Sequence, residues 1–438
     1  MNSKDFFINN SITIYPSKSH GSITIPASKS ILHRAIICAS LAKGVSTLEN
    51  VYISDDIMHT IDCFRKLGAN IEINEDKLII DGIKDFNSVN DTTLYVGGSA
   101  STLRFLIPIL TLFNKEFKIY CNESLYNRPF SVYEELFKNN NGTFELNEEV
   151  VNDETKYFIT LSGKLKKTKY VIDGSISSQF ISGMLLTLPL LNFDTQLITE
   201  NVTSKGYIFL TLDIMNMFGM TIPYSNEFNI HGNNCYKPFD YVIEGDYTQF
   251  ANFVVLGTIN NDISVNGIDI NTLQSDAMLL NTFNNVRYTD YDEFYIKKEN
   301  LNYLSFDLKD NPDLGPILCS LLTQTGGKLS NIERLKYKES NRIESMIEEL
   351  KKFNVNIRLI NNNLFIDKID RLETDQVLNS HNDHRIFMAL AILATISQSP
   401  ITITGVDSIN KSYPTFILDL KKLGIDIRWI DIKQLYLT

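Results

Sequence analysis

The sequence contains no long apolar run. No stretch approaches the length of a membrane-spanning helix, which takes about 20 such residues, so a helical membrane protein is excluded. It also has no long run of Lys or Arg. With 41 Lys and Arg against 52 Asp and Glu, the net charge is −11, which argues against nucleic acid as a partner. Cysteine is scarce and scattered: Cys38, Cys63, Cys121, Cys235 and Cys319. An odd number without regular spacing excludes a disulfide scaffold and suits free, mostly buried thiols in a reducing cytosol. The first residues, MNSKDFFINNSITI, show no basic region followed by an apolar core, so no signal peptide is expected and a cytoplasmic location is.

Chemical signatures are missing too. The turn Val96-Gly97-Gly98-Ser99-Ala100-Ser101-Thr102-Leu103-Arg104 is not closed by Gly-Lys-Ser/Thr, so it is no Walker loop. No dinucleotide fingerprint is present. No His/Cys/carboxylate cluster has metal spacing, His381 and His384 being isolated. No serine has the pattern of a supporting triad. A metal-free, cofactor-free reaction is what remains.

What is present is long and ordinary in composition. At 438 residues, 43% hydrophobic and 21% charged, the chain calls for two domains. A helix, a large apolar residue, a turn and a β-rich run recur around Leu67, Phe137, Phe218, Phe283, Phe353 and Leu423. The period is about 70 residues, the scale of one supersecondary unit. Gly68, Gly219 and Gly424 stand where a helix end needs a left-handed residue. Three such units per domain use up the chain. A crossover between domains is expected near Tyr241–Asp246, and Asn284–Asn302 reads as an uninformative loop.

Each basic candidate falls at or near a place where a loop is expected to become a helix. Free N–H groups and the positive dipole end make such junctions anion sites, and added Arg or Lys strengthens them. The basic candidates are Lys29, Arg34, Arg104, Arg128, Lys338, Arg342, Arg385 and Lys411. Ser30, Ser177, Ser178, Gln179, Ser204 and Tyr207 supply neutral donors, and Asp313 and Glu339 are the acids. Any one of these has a plain alternative: a redundant helix cap, a solvated cation, a capping Asp. Asp55 and Asp56 read as complements to a helix dipole. Together the set points to group transfer between two small, multiply anionic molecules, driven by positioning and electrostatics.

In order, SKSILHRA, GGSASTLR, NRP, DGSISSQF, TSKGY, PDLGP, LKYKESNR, NDHR and NKSYP resemble the signature set of the 5-enolpyruvylshikimate-3-phosphate synthase family, the 3-phosphoshikimate 1-carboxyvinyltransferases. The resemblance covers nearly the whole chain. It implies an α/β fold of two similar domains, each of three βαβαββ units (an inside-out α/β barrel), hinged around a central cleft. The expected domains are residues 22–242 and residues 1–21 plus 243–438. The implied reaction moves the enolpyruvyl group of phosphoenolpyruvate to the 5-hydroxyl of shikimate 3-phosphate and releases phosphate. No cofactor, metal, nucleic acid or membrane is implied, and a monomer is expected.

By matched position, Lys29, Gly98, Ala100, Arg128, Gln179, Arg342, Arg385 and Lys411 would hold phosphoenolpyruvate. Lys29, Ser30, Arg34, Ser177, Ser178, Gln179, Ser204, Tyr207, Asp313 and Lys338 would hold shikimate 3-phosphate. Lys29, Asp313 and Glu339 would be catalytic, Asp313 taking the proton of the 5-hydroxyl. Three departures stand out. Ala100 replaces a frequent Gly and is expected to blunt inhibition by glyphosate. Arg334 stands where some members have Asn. DYTQFAN after Gly245 is bulkier than the usual small residues. Two rival readings have features that this sequence lacks or exceeds. The related enolpyruvyl transferase of UDP-N-acetylglucosamine uses a Cys before its Arg-Pro, but Cys121 lacks the surrounding glycine-rich loop. A silent sugar-phosphate sensor would not need Lys29, Asp313, Glu339, Arg342 and Lys411 together.

Overall fold

The computed structural model describes residues 10–89, 91–289 and 293–430. Residues 1–9, where most of the signal-peptide expectation falls, and 431–438, the end of the expected second domain, lie outside it. The chain forms two compact units. One comprises Ala27–Glu244 with Leu273–Ser275, the other Met1–Pro26, Gly245–Thr272 and Asp276–Thr438.

Six sheets are present among the described residues, three in each unit. All six contain a parallel pair with one or two antiparallel strands beside it. In four of them the pair is joined through a buried helix; in the sheets of Val45–Glu49 and Ile263–Asn266 the parallel neighbour comes from a distant part of the chain. In the 27–244 unit the second sheet shows the helix-joined arrangement in full. Thr93–Tyr95 runs parallel to Phe117–Cys121, which pairs antiparallel with Glu154–Ser162, and that strand with Thr143–Val151. The third sheet has Lys169–Asp173, Thr195–Glu200 and Glu227–Ile230. The first borrows its parallel edge, Tyr241–Val242 beside Val45–Glu49, from the far end of the unit, which ties the three repeats together. In the other unit, Ser22–Thr24 beside Ile263–Asn266, Leu304–Asp307 beside Gly327–Ser330, and Leu378–Asn379 beside Ile401–Thr404 are the parallel pairs.

Each repeat has one helix buried almost all round. These are Lys29–Leu41, Ala100–Leu110 and Ser178–Thr187 in one unit, and Tyr247–Ile259, Gly315–Thr325 and His384–Ala394 in the other. A helix apolar on nearly every face belongs inside. The second helix of most repeats ends at the recurring joint. Gly68, Gly219 and Gly424 have φ of +101°, +79° and +84°, the left-handed turn expected of them. Asn141 (φ +56°) and Asn354 (φ +61°) do the same at the second and fifth joints. Asn tolerates that conformation better than other residues with a side chain.

Some local expectations are corrected. The fourth joint follows a 3-10 segment, Ser275–Asn281, not an α-helix. The stretch 284–302 is not a plain loop: Val286–Tyr288 pairs antiparallel with Glu293–Ile296. Arg34 and Arg104 sit in the second turn of their helices, and Lys338 and Lys411 close 3-10 turns.

Candidate active site

The candidate side chains gather in two clusters, one in each unit. In the 27–244 unit, Lys29 opens its helix and places Nζ 2.7 Å from Asp56 Oδ2. Asp56, only 4% exposed, is therefore more than a dipole complement. Behind this pair a chain of hydroxyls fastens three helix starts. His33 Nδ1 and Thr60 Oγ1 are 2.8 Å apart, Thr60 and Thr102 Oγ1 2.7 Å, and Thr102 donates to Ser99 Oγ at 2.7 Å. Burial pushes the His33 imidazole down to about 3, so it is neutral.

Arg34 is an internal brace. Nε donates to Thr211 Oγ1 (2.7 Å), Nη1 to the Ser30 carbonyl (2.7 Å) and Nη2 to the Tyr207 carbonyl (3.3 Å). Tyr207 in turn donates its backbone N–H to the carbonyl of Ser204, a cap residue in the left-handed region at φ +52°. Gln179 accepts from Arg104 Nη1 (2.9 Å) and donates to Ser101 Oγ (2.9 Å), which joins the DGSISSQF and GGSASTLR segments. Ser177 caps its helix, and Ser178 is buried. Ala100 is the first residue of its helix and 8% exposed, Gly98 lies in the turn just before the cap Ser99, and Arg128 is 7% exposed between two helices. Cys121 does not suit the rival enzyme's reactive thiol: burial pushes it up to about 12.

The second cluster is built on Arg342, first residue of helix Arg342–Lys351 and 1% exposed. Its Nη1 meets Asp313 Oδ1 at 2.7 Å, Nη2 meets Glu339 Oε2 at 2.6 Å, and Nε meets Asp383 Oδ2 at 2.8 Å. Lys338 Nζ also reaches Asp313 Oδ1 (2.9 Å), and Lys411 Nζ lies 3.4 Å from Glu339 Oε1. Burial alone would raise the Asp313 carboxyl; Lys338, Arg385 and Arg342 outweigh it and hold the group well below the usual range. Burial brings Lys338 down to about 8, with Asp313 opposing. Arg334 donates to the Lys309 carbonyl at 3.4 Å and disfavours the charge on Lys338.

Arg385 differs from these. It follows the cap Asp383, which accepts its backbone N–H, and it is 8% exposed. Its Nε and Nη1 find no hydrogen-bond partner among the described residues. Buried donors of that kind are costly unless something accepts from them.

A family model for "EPSP synthase (3-phosphoshikimate 1-carboxyvinyltransferase)" matches residues 15–420. The chain belongs to the EPSP synthase family. A 3-phosphoshikimate 1-carboxyvinyltransferase of Clostridium perfringens is 38% identical over 422 residues, covering 94% of this chain and 98% of the relative. One of Clostridioides difficile is 37% identical over 431 residues, covering 94% and 97%. Among solved structures, EPSP synthase from Acinetobacter baumannii aligns with a TM-score of 0.76 at 21% identity, covering 96% of this chain and all of that one. The enolpyruvyl transferase NikO from Streptomyces tendae aligns with 0.74 at 16% identity, covering 96% and 99%. The fold is that of the enolpyruvyl transferases.

Sequence reasoning missed three acids of these clusters. Asp56, Asp383 and Asp276 each have a plain local reading, and only tertiary structure shows which cation or donor they meet. The chain also brings Glu348, Glu349 and His381 within 4.8 Å of one another, a grouping of metal-ligand types that linear spacing hid. Glu349 is already engaged there, by both Lys352 Nζ contacts (2.9 and 2.8 Å) and by His381 Nε2 (2.8 Å). Among the described residues no helix is long and apolar enough to cross a membrane.

Proposed function

We propose that the two clusters carry out the family reaction, enolpyruvyl transfer from phosphoenolpyruvate to the 5-hydroxyl of shikimate 3-phosphate. Lys29, Ser30, Arg34, Ser177, Ser178, Gln179, Ser204 and Tyr207 hold the sugar phosphate, with Asp313 and Lys338. Lys29, Gly98, Ala100, Arg128, Gln179, Arg342, Arg385 and Lys411 receive phosphoenolpyruvate. The observation that carries the reading is Arg385, a buried guanidinium with two unused donors in a cluster whose other arginine is taken by carboxylates. Anionic oxygens that accept from these donors complete it.

The chemistry follows from these groups. A proton from Lys29 or Glu339 goes to the methylene carbon of phosphoenolpyruvate, and the 5-hydroxyl oxygen bonds to the adjacent enol carbon. Asp313 takes the hydroxyl proton. The tetrahedral adduct then loses the methyl proton and phosphate, restoring the double bond on the product. Asp313 held well below the usual range is a weak base. Its pairing with Lys338 and Arg342 must loosen when the substrates' anionic groups engage those cations. The chain works as a single cytoplasmic subunit.

Phosphate release with both substrates tests the reaction. Turnover is expected with shikimate 3-phosphate and none with UDP-N-acetylglucosamine; the reverse would overturn the assignment. Arg385→Lys replaces a planar fork by a point charge and should raise KM for phosphoenolpyruvate by about 10- to 100-fold, the worth of about 1.5–3 kcal/mol for a charged hydrogen bond. An unchanged KM would remove Arg385 from that role. Sedimentation at assay concentrations checks the monomer.

A further inference from the structure

Asp276 is buried, 2% exposed, in the unit that carries Asp313 and Arg385. Its Oδ1 accepts from Asn311 Nδ2 at 2.7 Å, and its Oδ2 accepts from the Thr248 hydroxyl. Asn311 is the residue before Pro312-Asp313 and stands at the cap of the 3-10 turn Pro312–Leu314. Asn at a cap ordinarily satisfies the N–H groups of its own turn. Here it makes no side-chain cap bond, and its amide goes to Asp276 instead. A local preference given up in this way marks a position fixed by something other than turn stability. Thr248 faces Asp276 from helix Tyr247–Ile259, in the bulky segment after Gly245.

We propose that Asp276 is a positioning residue for the reaction, acting in two separable ways. Through Asn311 it sets where the Pro312–Leu314 turn presents Asp313. Through its charge it moderates the cationic field of Arg385. The charged groups it feels are Asp313, on the turn that follows Asn311, and Arg385, on helix His384–Ala394. Burial raises the Asp276 carboxyl to about 6, against its hydrogen bonds from Thr248 and Asn311. Its charge is therefore lost just below neutral pH. On protonation the carboxyl must donate, and only the Thr248 hydroxyl can turn to accept; the Asn311 amide N–H cannot. The Asn311 bond thus survives titration while the charge beside Arg385 does not.

This inference rests on the enolpyruvyl-transfer reading, and the test separates the two. Asp276→Asn keeps an oxygen for Asn311 and removes the charge. Asn311→Ala keeps the charge and removes the tether. Asp276→Asn should keep kcat within about twofold. The ratio of wild-type to variant KM for phosphoenolpyruvate should rise severalfold between pH 5 and pH 8, as the wild-type carboxylate ionises; the ratio cancels ionisation of the substrate itself. Asn311→Ala should lower kcat about tenfold and leave the pH dependence of KM as in the wild type. A flat KM ratio together with wild-type kcat in Asn311→Ala would overturn the proposal.

A readout independent of turnover keeps it testable if the wild type proves inactive, which would sink the functional reading alone. Trp429, the sole tryptophan, lies in the same unit. Its fluorescence melt should show Asp276→Asn gaining stability over wild type as pH rises from 5 to 8. A group with a raised folded-state pKa loses its favourable contribution as pH rises through it. No pH-dependent gain would show that Asp276 does not titrate there, and the charge arm falls.

Discussion

Arg342 and Arg385 carry the same charge and use it in opposite ways. Arg342 is saturated by Asp313, Glu339 and Asp383, whereas Arg385 keeps two donors in reserve. Both precede apolar helical faces, and a charge on a helix start reads the same whether its partner is a carboxylate 41 residues away, as Asp383 is from Arg342, or a substrate. That is why the motifs were legible and their internal pairing was not. Lys29 with Asp56 and Arg342 with Asp383 are contacts between repeats or segments that no local pattern specifies. Glu339 shows what such pairing implies for chemistry. Arg342 at 2.6 Å and Lys411 at 3.4 Å position the carboxylate. Glu339→Gln keeps its shape and removes its proton, so kcat should fall by about 100- to 10,000-fold, the range for a general acid–base group, while equilibrium binding of shikimate 3-phosphate stays near wild type. Wild-type turnover would exclude Glu339 from proton transfer. Under the proposed reaction, Ala100 is expected to bear on selectivity. It is the buried first residue of its helix, where a methyl group narrows space beside the GGSAS turn. Ala100→Gly should lower the glyphosate concentration giving half-inhibition at fixed phosphoenolpyruvate by at least tenfold; no change would show the methyl group irrelevant.

Elements are where the sequence was read most surely. Helix–turn–strand joints repeat because five of the six repeats use a left-handed residue to leave their outer helix, and Gly or Asn supplies it. The fourth joint was harder to see because its helix is a short 3-10 segment with no 3.6-residue stripe. The pairing of Val286–Tyr288 with Glu293–Ile296 is not legible in the sequence because charged and aromatic residues mask its alternation. Beyond the joints, one buried acid couples two functional elements. Glu349, fully buried near the end of helix Arg342–Lys351, accepts from Lys352, from His381 and from the Asn379 N–H at 2.9 Å. It thereby ties the Arg342 helix to the loop that leads into Asp383 and Arg385. Burial would raise its carboxyl, but His381, Lys352 and the Asn379 N–H together lower it. Glu349→Gln should cost about 3–5 kcal/mol, the penalty for breaking a buried ionic contact, and should raise KM for phosphoenolpyruvate more than it lowers kcat. Urea denaturation and steady-state kinetics read the two effects. A loss below about 1 kcal/mol, within what surface pairs contribute, would show that Glu349 is no tie.

At the scale of the molecule, the two units titrate in opposite senses. In the 27–244 unit, His33 is neutral with its folded-state pKa depressed to about 3. As pH falls below the unfolded value near 6.5, the unfolded chain takes a proton that the folded unit refuses, so stability drops with acidification. Between pH 6.5 and 5 that is worth about 2 kcal/mol at 1.36 kcal/mol per pH unit. In the other unit, Asp276 is raised to about 6. There the folded form takes the proton first, and stability rises by about 1–2 kcal/mol as pH falls from 7 to 5 by the same measure. The acids held low, Asp313 and Glu349, oppose this only at lower pH, where the unfolded carboxylates begin to protonate. The single tryptophan allows the halves to be watched separately. Trp429 belongs to the Asp276 unit, so its fluorescence follows that unit, while circular dichroism follows both. Acidification from pH 7 to 5 should move the fluorescence midpoint up and broaden the dichroism transition toward lower temperature. His33→Asn should abolish the downward part and leave the fluorescence shift intact. Parallel movement of both signals in the wild type would mean that the units unfold as one or that His33 is protonated in the native state. Then the hydroxyl chain from His33 through Thr60 and Thr102 to Ser99 could not be the neutral scaffold that holds the Lys29 and Ala100 helix starts together.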